Sequence, residues 1–586
     1  MIAPPRLFRS PTLARSLVLE RTWPFFLDLS VAACGLALFY AVLRVAQYWM
    51  GHPVAAVSIS PSAKMLPLYA FYSIVRIFVA YLLSLTFAVG YGYIAAYNPR
   101  VESFMIAVLD ILQSIPVLSF LPAVMLAMIS LVPGRQLGIE LGAILLIFTG
   151  QVWNMAFSFY SSLKSLPREL REAAGVFRFS AWQRFWQLEL PYSAIGLVWN
   201  SMVSVAGGWF FLMACEMFVL GDRDFRLPGL GSYLQTAAST GDSHGMLWGS
   251  VTMILIIVAT DQLVWRPVIA WSDKFKFEQG ESTSRKSSPI LHVLQNSNAL
   301  GWLKQVTFAP AWERIYCGIA RRKQRQFTAR PIHEARNPSR LGAVLLISTV
   351  TLLVGFAAFR ALGLLRQVHG AEVIELLKGA GATFLRVNAA LLIASAWTIP
   401  TGVAIGFHPK LARIAQPLAQ IAASYPATAI FPILLIALVR WGGGLGIGSI
   451  ALMLLGTQWY ILFNVIAGAT AIPSDLKEVA RLFHFSQWQR WKVVILPGIF
   501  PYLVTGLVTA SGGAWNASII AEYFHLKGRT LQTLGLGAQI SAASDHGQFS
   551  ILLLATIIMS LMVVTVNRLV WRPMYRLAET KFRLDT

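Results

Sequence analysis

Leu166-Pro167-Arg168-Glu169-Leu170-Arg171-Glu172-Ala173-Ala174-Gly175-Val176-Phe177-Arg178-Phe179-Ser180-Ala181-Trp182-Gln183-Arg184 runs on to Leu190-Pro191. It is echoed 306 residues later by Ile472-Pro473-Ser474-Asp475-Leu476-Lys477-Glu478-Val479-Ala480-Arg481-Leu482-Phe483-His484-Phe485-Ser486-Gln487-Trp488-Gln489-Arg490, running on to Leu496-Pro497. Each copy is a charged interruption between apolar runs of about 20 residues, the length that crosses a bilayer core. Pro167 and Pro473 are helix-start signals. The carboxylates just after them, Glu169 and Glu172 in one copy and Asp475 and Glu478 in the other, suit the positive end of a short helix. The small side chains of Ala173, Ala174 and Ala480 leave room for another protein to pack closely. The Leu-Pro pairs mark the return to apolar sequence.

Outside these loops the composition is that of a membrane protein. Of 586 residues, 56% are hydrophobic and 13% charged, too few charges to cover a soluble surface of that size. Twelve spans are expected, near 24–49, 68–96, 115–132, 137–160, 192–219 and 246–270, and again near 341–365, 382–406, 424–440, 446–466, 498–521 and 548–571. The stretches Arg100–Gln113 and Leu411–Gln420, ahead of the third span of each half, read as interfacial helices or as the start of that span. The first run follows a basic arm and is too long for a cleaved signal core, so it reads as a retained span.

The net charge of +22 would suggest nucleic acid in a soluble chain. Here 33 of the 48 Lys and Arg fall in the segments expected inside, which makes the excess topological and puts both termini in the cytoplasm. Contact with anionic lipid follows from the same charge, and no nucleic-acid partner is implied. Cys34, Cys215 and Cys317 are scattered and form neither a disulfide framework nor a metal site.

The chain is a tandem repeat. Leu263-Val264-Trp265-Arg266-Pro267 recurs as Leu569-Val570-Trp571-Arg572-Pro573, and Trp153 recurs as Trp459. Gly207-Gly208-Trp209 and Glu216 recur as Gly513-Ala514-Trp515 and Glu522. Ser114-x-Pro116 with Pro122 recurs as Ser424-x-Pro426 with Pro432. The expected fold is all-α and polytopic: two six-helix halves, 1–272 and 341–586, related by a pseudo-two-fold axis along the membrane normal. The repeated loops span 166–191 and 472–497. The basic segment 273–340 joins the halves as a cytoplasmic linker, with an amphipathic helix lying on the membrane surface.

The repeated loop resembles the EAA loop of permeases in the binding-protein-dependent transport family. That loop has Glu-Ala-Ala, a glycine six residues after the Glu, and Leu-Pro thirteen residues after the glycine. Both spacings are kept here, but Arg178 and His484 stand at the glycine position, so residues with a Cβ must make the turn. The strings Ser114–Pro122 and Ser424–Pro432 are similar to those of the nitrate/sulfonate/taurine subgroup, in which fused, duplicated permeases occur. Asn464 and Gly468 also match that subgroup, while Ser158 and Ser162 replace them in the first half. The resemblance implies the permease of an ABC importer for a small anion such as nitrate, sulfonate, taurine or bicarbonate. It implies two ATPase subunits on the loops around Glu172 and Glu478, and an extracytoplasmic substrate-binding protein. It implies no cofactor in this chain and no catalytic or metal site, with ATP and Mg held by the partner subunits. No Gly-x-x-x-x-Gly-Lys-Ser/Thr sequence is present to cradle ATP phosphates.

Several residues are candidates for the solute pathway. Pro116, Pro122, Pro426 and Pro432 break helices in apolar surroundings, which is tolerated only against protein or a water-filled cavity. Trp153, Trp459, Asn464, Gly207, Gly513, Trp209 and Trp515 lie on the same repeated spans. Glu216 and Glu522 are deep carboxylates, open to a structural or gating contact, to proton coupling, or to substrate contact. The Asp242-Ser243 and Asp545-His546 pairs before each sixth span read as helix caps or as a docking edge for the binding protein. The alternative function, a twelve-span ion-coupled secondary transporter, requires ionisable residues clustered at the bilayer centre, and few are found.

Overall fold

Long apolar runs with small residues at helical spacing give this chain its framework. The computed structural model describes residues 59–275 and 362–581 apart from 115, 133–135, 221–222, 441–443 and 527–528, together with the isolated positions 352 and 359. The expected span 24–49, most of 341–365 and nearly all of the linker 273–340 lie outside the described residues. The chain divides into two compact units that cut across the sequence repeat. One comprises 1–51, 162–199 and 259–343, the other 52–161, 200–258 and 344–586.

Eight helical runs among the described residues are long and apolar enough to cross a membrane. In the first half they are Ala63–Tyr97, Gln136–Lys164, Ala181–Glu216 and Ser243–Ser272. In the second they are Gly370–Phe407, Leu445–Ala471, Gln487–Ala521 and Phe549–Ala578. The main helix of the first run, α1 (Leu66–Tyr97), buries Ser73, Ile77, Ala80, Ser84, Ala88, Gly92 and Ala95, a stripe of mostly small side chains three or four apart. Such stripes let helix backbones approach where lipid supplies no hydrophobic drive. A Cβ at Gly92 would meet Phe159, Tyr160 and Ala156 of the helix Gln136–Lys164. Its repeat partner Gly402, on Gly370–Phe407, stands equally close to Leu462 and Val465 of Leu445–Ala471.

The third segment of each half departs from a straight span. In the first half, α2 (Pro99–Ser114) ends before Pro116, a 3₁₀ turn covers Val117–Phe120, and α3 is only Leu121–Leu131. Eleven residues rise about 16 Å, well short of the hydrocarbon core. In the second half, the helical runs Lys410–Ser424 and Ala427–Leu438 are bent by 85° at the break. The prolines account for this: Tyr425, before Pro426, is held in an extended conformation, and neither Pro116 nor Pro426 has an N–H to continue the preceding helix.

Prolines also explain four π-helical turns, at Phe185–Glu189, Asp261–Trp265, Arg490–Ile495 and Asn567–Trp571. Pro191, Pro267, Pro497 and Pro573 follow within two residues, and each ring would collide with a carbonyl four residues back. That carbonyl belongs to Gln187, Leu263, Val493 or Leu569, in every case inside the widened turn.

Two small antiparallel hairpins, unexpected from the sequence, follow the fifth helices. Val219–Leu220 (β1) pairs with Arg223–Asp224 (β2), and Tyr523–Leu526 (β3) pairs with Arg529–Gln532 (β4). The register of the second runs Tyr523 opposite Gln532 to Leu526 opposite Arg529.

Candidate functional site

Both repeated loops fold into the same helix–turn–helix, built from local rules. The first helix is α4 (Arg168–Val176) in one copy and Ser474–Leu482 in the other, each preceded by its proline. Each ends in a Schellman turn. Phe179 N–H donates to Ala174 O at 2.9 Å and Arg178 N–H to Gly175 O at 2.9 Å. The second copy repeats both bonds at 3.0 Å, Phe485 to Ala480 and His484 to Arg481. The left-handed residues of these turns are Arg178 (φ 52°) and His484 (φ 50°), the two non-glycine residues of positive φ among those described. Left-handed backbone costs a residue with a Cβ about 1–2 kcal/mol. The turn keeps it because the hydrogen bonds and the following cap hold both sides.

Ser180 and Ser486 then start the second short helix, each in a capping box with Gln183 or Gln489. Ala174 and Ala480 are buried, whereas Glu169, Glu172, Glu478, Arg178 and His484 are exposed and Ala173 is half-buried. Val176, Phe177, Leu482, Phe483 and Trp488 are 72–80% exposed, so the outer tip of each loop is apolar. The first loop is tied down by Arg171 Nη2 donating to Leu163 O at 2.7 Å and by Arg184 paired with Glu189 at 2.6 Å. In the second, Lys477 Nζ lies 4.6 Å from the centre of the Phe407 ring, and desolvation holds its ammonium below the usual lysine range.

Glu216 and Glu522 sit in matching buried seats. Glu216 accepts from Ser73 Oγ (2.6 Å), Arg76 Nη1 (2.8 Å) and Gly231 N–H (2.7 Å). Glu522 accepts from Thr383 Oγ1 (2.8 Å), Arg386 Nη1 (2.9 Å) and Gly537 N–H (2.9 Å). The arginines also donate to Pro228 O and Leu534 O. Gly229 and Gly535 are glycine for a spatial reason: a Cβ at either would overlap the carboxylate itself. The Gly-Leu-Gly sequences thus form the floor of the two seats.

Sequence reading missed Arg76, Arg386 and Glu140. The signal was present, as Ser73-x-x-Arg76 and Thr383-x-x-Arg386 are 310 residues apart, the offset of the proline pairs. The cap expectation for Asp545 is corrected. Gln548 is the N-cap of the following helix, Phe549–Val566, without a side-chain cap bond. Asp545 instead accepts from Tyr523 Oη at 2.8 Å and lies 3.0 Å from His525 Nε2, while His525 Nδ1 is 2.9 Å from Thr530 Oγ1. Burial, then the hydrogen bond to Asp545, raises the Tyr523 phenol above its ordinary value.

A cavity of about 460 Å³ lies beside these groups and draws on both halves. Leu118, Leu121, Pro122, Ala214, Phe218 and Arg226 line one side, and Ile519, Ile520, Phe524, His525, Ser541 and Ser544 the other. The broken segment of the first half closes against the second: Leu118 N–H donates to Asn516 Oδ1 at 3.4 Å, and Thr556 Oγ1 to Ser119 O at 3.3 Å. Pro116, Pro122, Pro426 and Pro432 are buried, and of these only Pro122 reaches the cavity. Trp209 and Trp515 are buried, and Trp153 and Trp459 half-buried. Asn464 spends its amide on Tyr460 O of its own helix, at 2.8 Å. Gly207 and Gly513 both face the side chain of Tyr460.

The architecture is a duplicated helical membrane framework that carries a twinned loop. The chain belongs to the family of binding-protein-dependent transport system inner membrane components, whose pattern matches residues 88–264 and 398–572, more than half of the sequence. It is 31% identical over 189 residues to the nitrate import permease protein NrtB of Leptolyngbya laminosa, covering 32% of this chain and 64% of the relative. It is 30% identical over 189 residues to the bicarbonate transport system permease protein CmpB of Synechococcus elongatus, covering 32% and 65%. The taurine transport system permease protein TauC of Escherichia coli is 27% identical over 164 residues, covering 28% and 56%. These alignments therefore span less than two thirds of each relative.

Proposed function

We propose that this chain is the fused translocation subunit of an ATP-driven importer, carrying a small oxyanion or organic anion across the inner membrane with both termini inside. Two ATPase subunits, which hold ATP and Mg, grip the two loops, and an extracytoplasmic binding protein delivers the solute. The observation that carries this reading is the twinned loop: two copies with the same turn, the same cap and the same exposed apolar tip. Closure of the ATPases would move the two halves and alternate access to the pathway between them.

The anion class is supported by the relatives named for nitrate, bicarbonate and taurine. It is also supported by a cavity lining that includes Arg226, His525, Gln235 and three serines. The ion-coupled alternative needs a carboxylate able to titrate in the pathway, whereas Glu216 and Glu522 are each bonded to an arginine in a closed seat and Asp545, on the cavity wall, is held by Tyr523 and His525.

The test exchanges Glu172 and Glu478 together for arginine in the assembled transporter. Loss of ATPase co-purification and of solute uptake is the expected result. Unchanged attachment and uptake would overturn the reading.

A further inference from the structure

Tyr460 lies beside a glycine of each of the two fifth helices. An added Cβ on Gly207, in Leu190–Glu216, would meet a single group, Tyr460 Oη at 3.5 Å. An added Cβ on Gly513, in Leu496–Ala521, would lie 3.6 Å from Tyr460 Cε2 and 3.2 Å from Thr457 Cγ2. One ring from the second half thus touches matching positions of both fifth helices. Its hydroxyl has no hydrogen-bond partner among the described residues.

The cavity stands directly above this contact on both helices. Ala214 is seven residues beyond Gly207, and Ile520 is seven beyond Gly513; both line the cavity. Seven residues are two helical turns on the same face, a rise of about 10 Å. Tyr460 therefore stands at the bottom of a column that begins at the Tyr523–His525 hairpin, passes through the cavity and descends between the paired helices. The barrier comes from one half only, since the repeat puts Asn154 at the corresponding position of the first. A bulky aromatic on one side and glycine on two faces is a shape that opens by small helix movements. Its free phenol is a donor suited to an anion that has shed part of its hydration.

We propose that Tyr460 is the barrier of the solute pathway and the side-chain donor to the passing anion at that constriction. The proposal rests on the permease reading, but its main test needs no partner subunit. The full chain is reconstituted in liposomes loaded with nitrate, and passive efflux is measured for wild type, Tyr460→Phe and Tyr460→Ala, with choline efflux as the cation control. Tyr460→Ala is expected to raise nitrate efflux on the order of tenfold or more over a tight wild type, with Tyr460→Phe staying tight. Efflux of nitrate and choline alike would keep the barrier and remove the anion reading. A Tyr460→Ala protein that is folded and as tight as wild type would overturn the barrier.

Should the alanine variant misfold, Tyr460→Cys in a background lacking Cys34, Cys215 and Cys317 replaces it. Its leak should be sealed by a benzyl thiol reagent, and a chain equally tight before and after labelling would again overturn the proposal. In the assembled transporter, Tyr460→Phe should lower uptake while ATP hydrolysis continues, and unchanged uptake would remove the donor role.

Discussion

The two buried carboxylate seats are built alike at four points and differ at a fifth. In both, an arginine (Arg76 on Leu66–Tyr97, Arg386 on Gly370–Phe407) reaches the glutamate, a Ser or Thr one turn earlier donates to it, a glycine N–H donates to it, and a backbone carbonyl takes the spare guanidinium proton. In the first half Glu140 also clamps Arg76, through Nε at 2.5 Å and Nη2 at 2.7 Å. The repeat puts Gly446 at that position in the second half, and Thr533 Oγ1 accepts from Arg386 Nη2 at 2.9 Å instead. A Cβ on Gly446 would lie 3.8 Å from that hydroxyl, so a neutral acceptor stands where the first half has a carboxylate. The first seat encloses two acids around one fully buried arginine; the second holds one acid, and its arginine side chain is 15% exposed. A duplicated gene can thus keep the geometry of a polar seat while changing its charge, provided every buried donor is still satisfied.

The sharpest way to break this comparison is to remove each arginine. Arg76→Met strands two buried carboxylates and should cost about 3–5 kcal/mol, read as a fall in thermal midpoint of the detergent-solubilised protein. Arg386→Met strands one carboxylate beside partial solvent and should cost clearly less; equal losses would refute the distinction. Next in size, Gly229→Ala and Gly535→Ala drive a Cβ into the glutamates. Each should cost about 1–3 kcal/mol, equally in the two halves, with new protease cleavage near the Gly-Leu-Gly loops. The smallest effect belongs to the other twinned feature: Arg178→Gly and His484→Gly should relieve left-handed strain and stabilise each loop by about 1 kcal/mol or less. A fall in thermal midpoint would mean that these side chains make contacts outweighing their strain.

Much of this was legible in the chain because it is local. Pro167 and Pro473 start the first helix of each loop, Ser180 and Ser486 cap the second, and the resemblance to the EAA loop, whose glycine falls at Arg178 and His484, implies a tight turn where the structure has positive φ. The spans Leu66–Tyr97 and Leu445–Ala471 lie within a few residues of where apolar periodicity puts them. The third segments were harder. Their apolar composition is that of a span, and only the prolines warn of the break. The short hairpins gave no warning, because two to four residues per strand carry too little alternation to read.

Sequence alone settled the repeat, the membrane framework and the twinned loop, since each depends on residues near one another in the chain or on plain recurrence. Tertiary structure alone decided that Arg76 would bridge Glu140 and Glu216, 64 and 140 residues away, and that Tyr460 would stand between Gly207 and Gly513. The physical reason is that a buried charge or an added methyl group is judged by what surrounds it in space. Partners hundreds of positions away leave no period in the sequence.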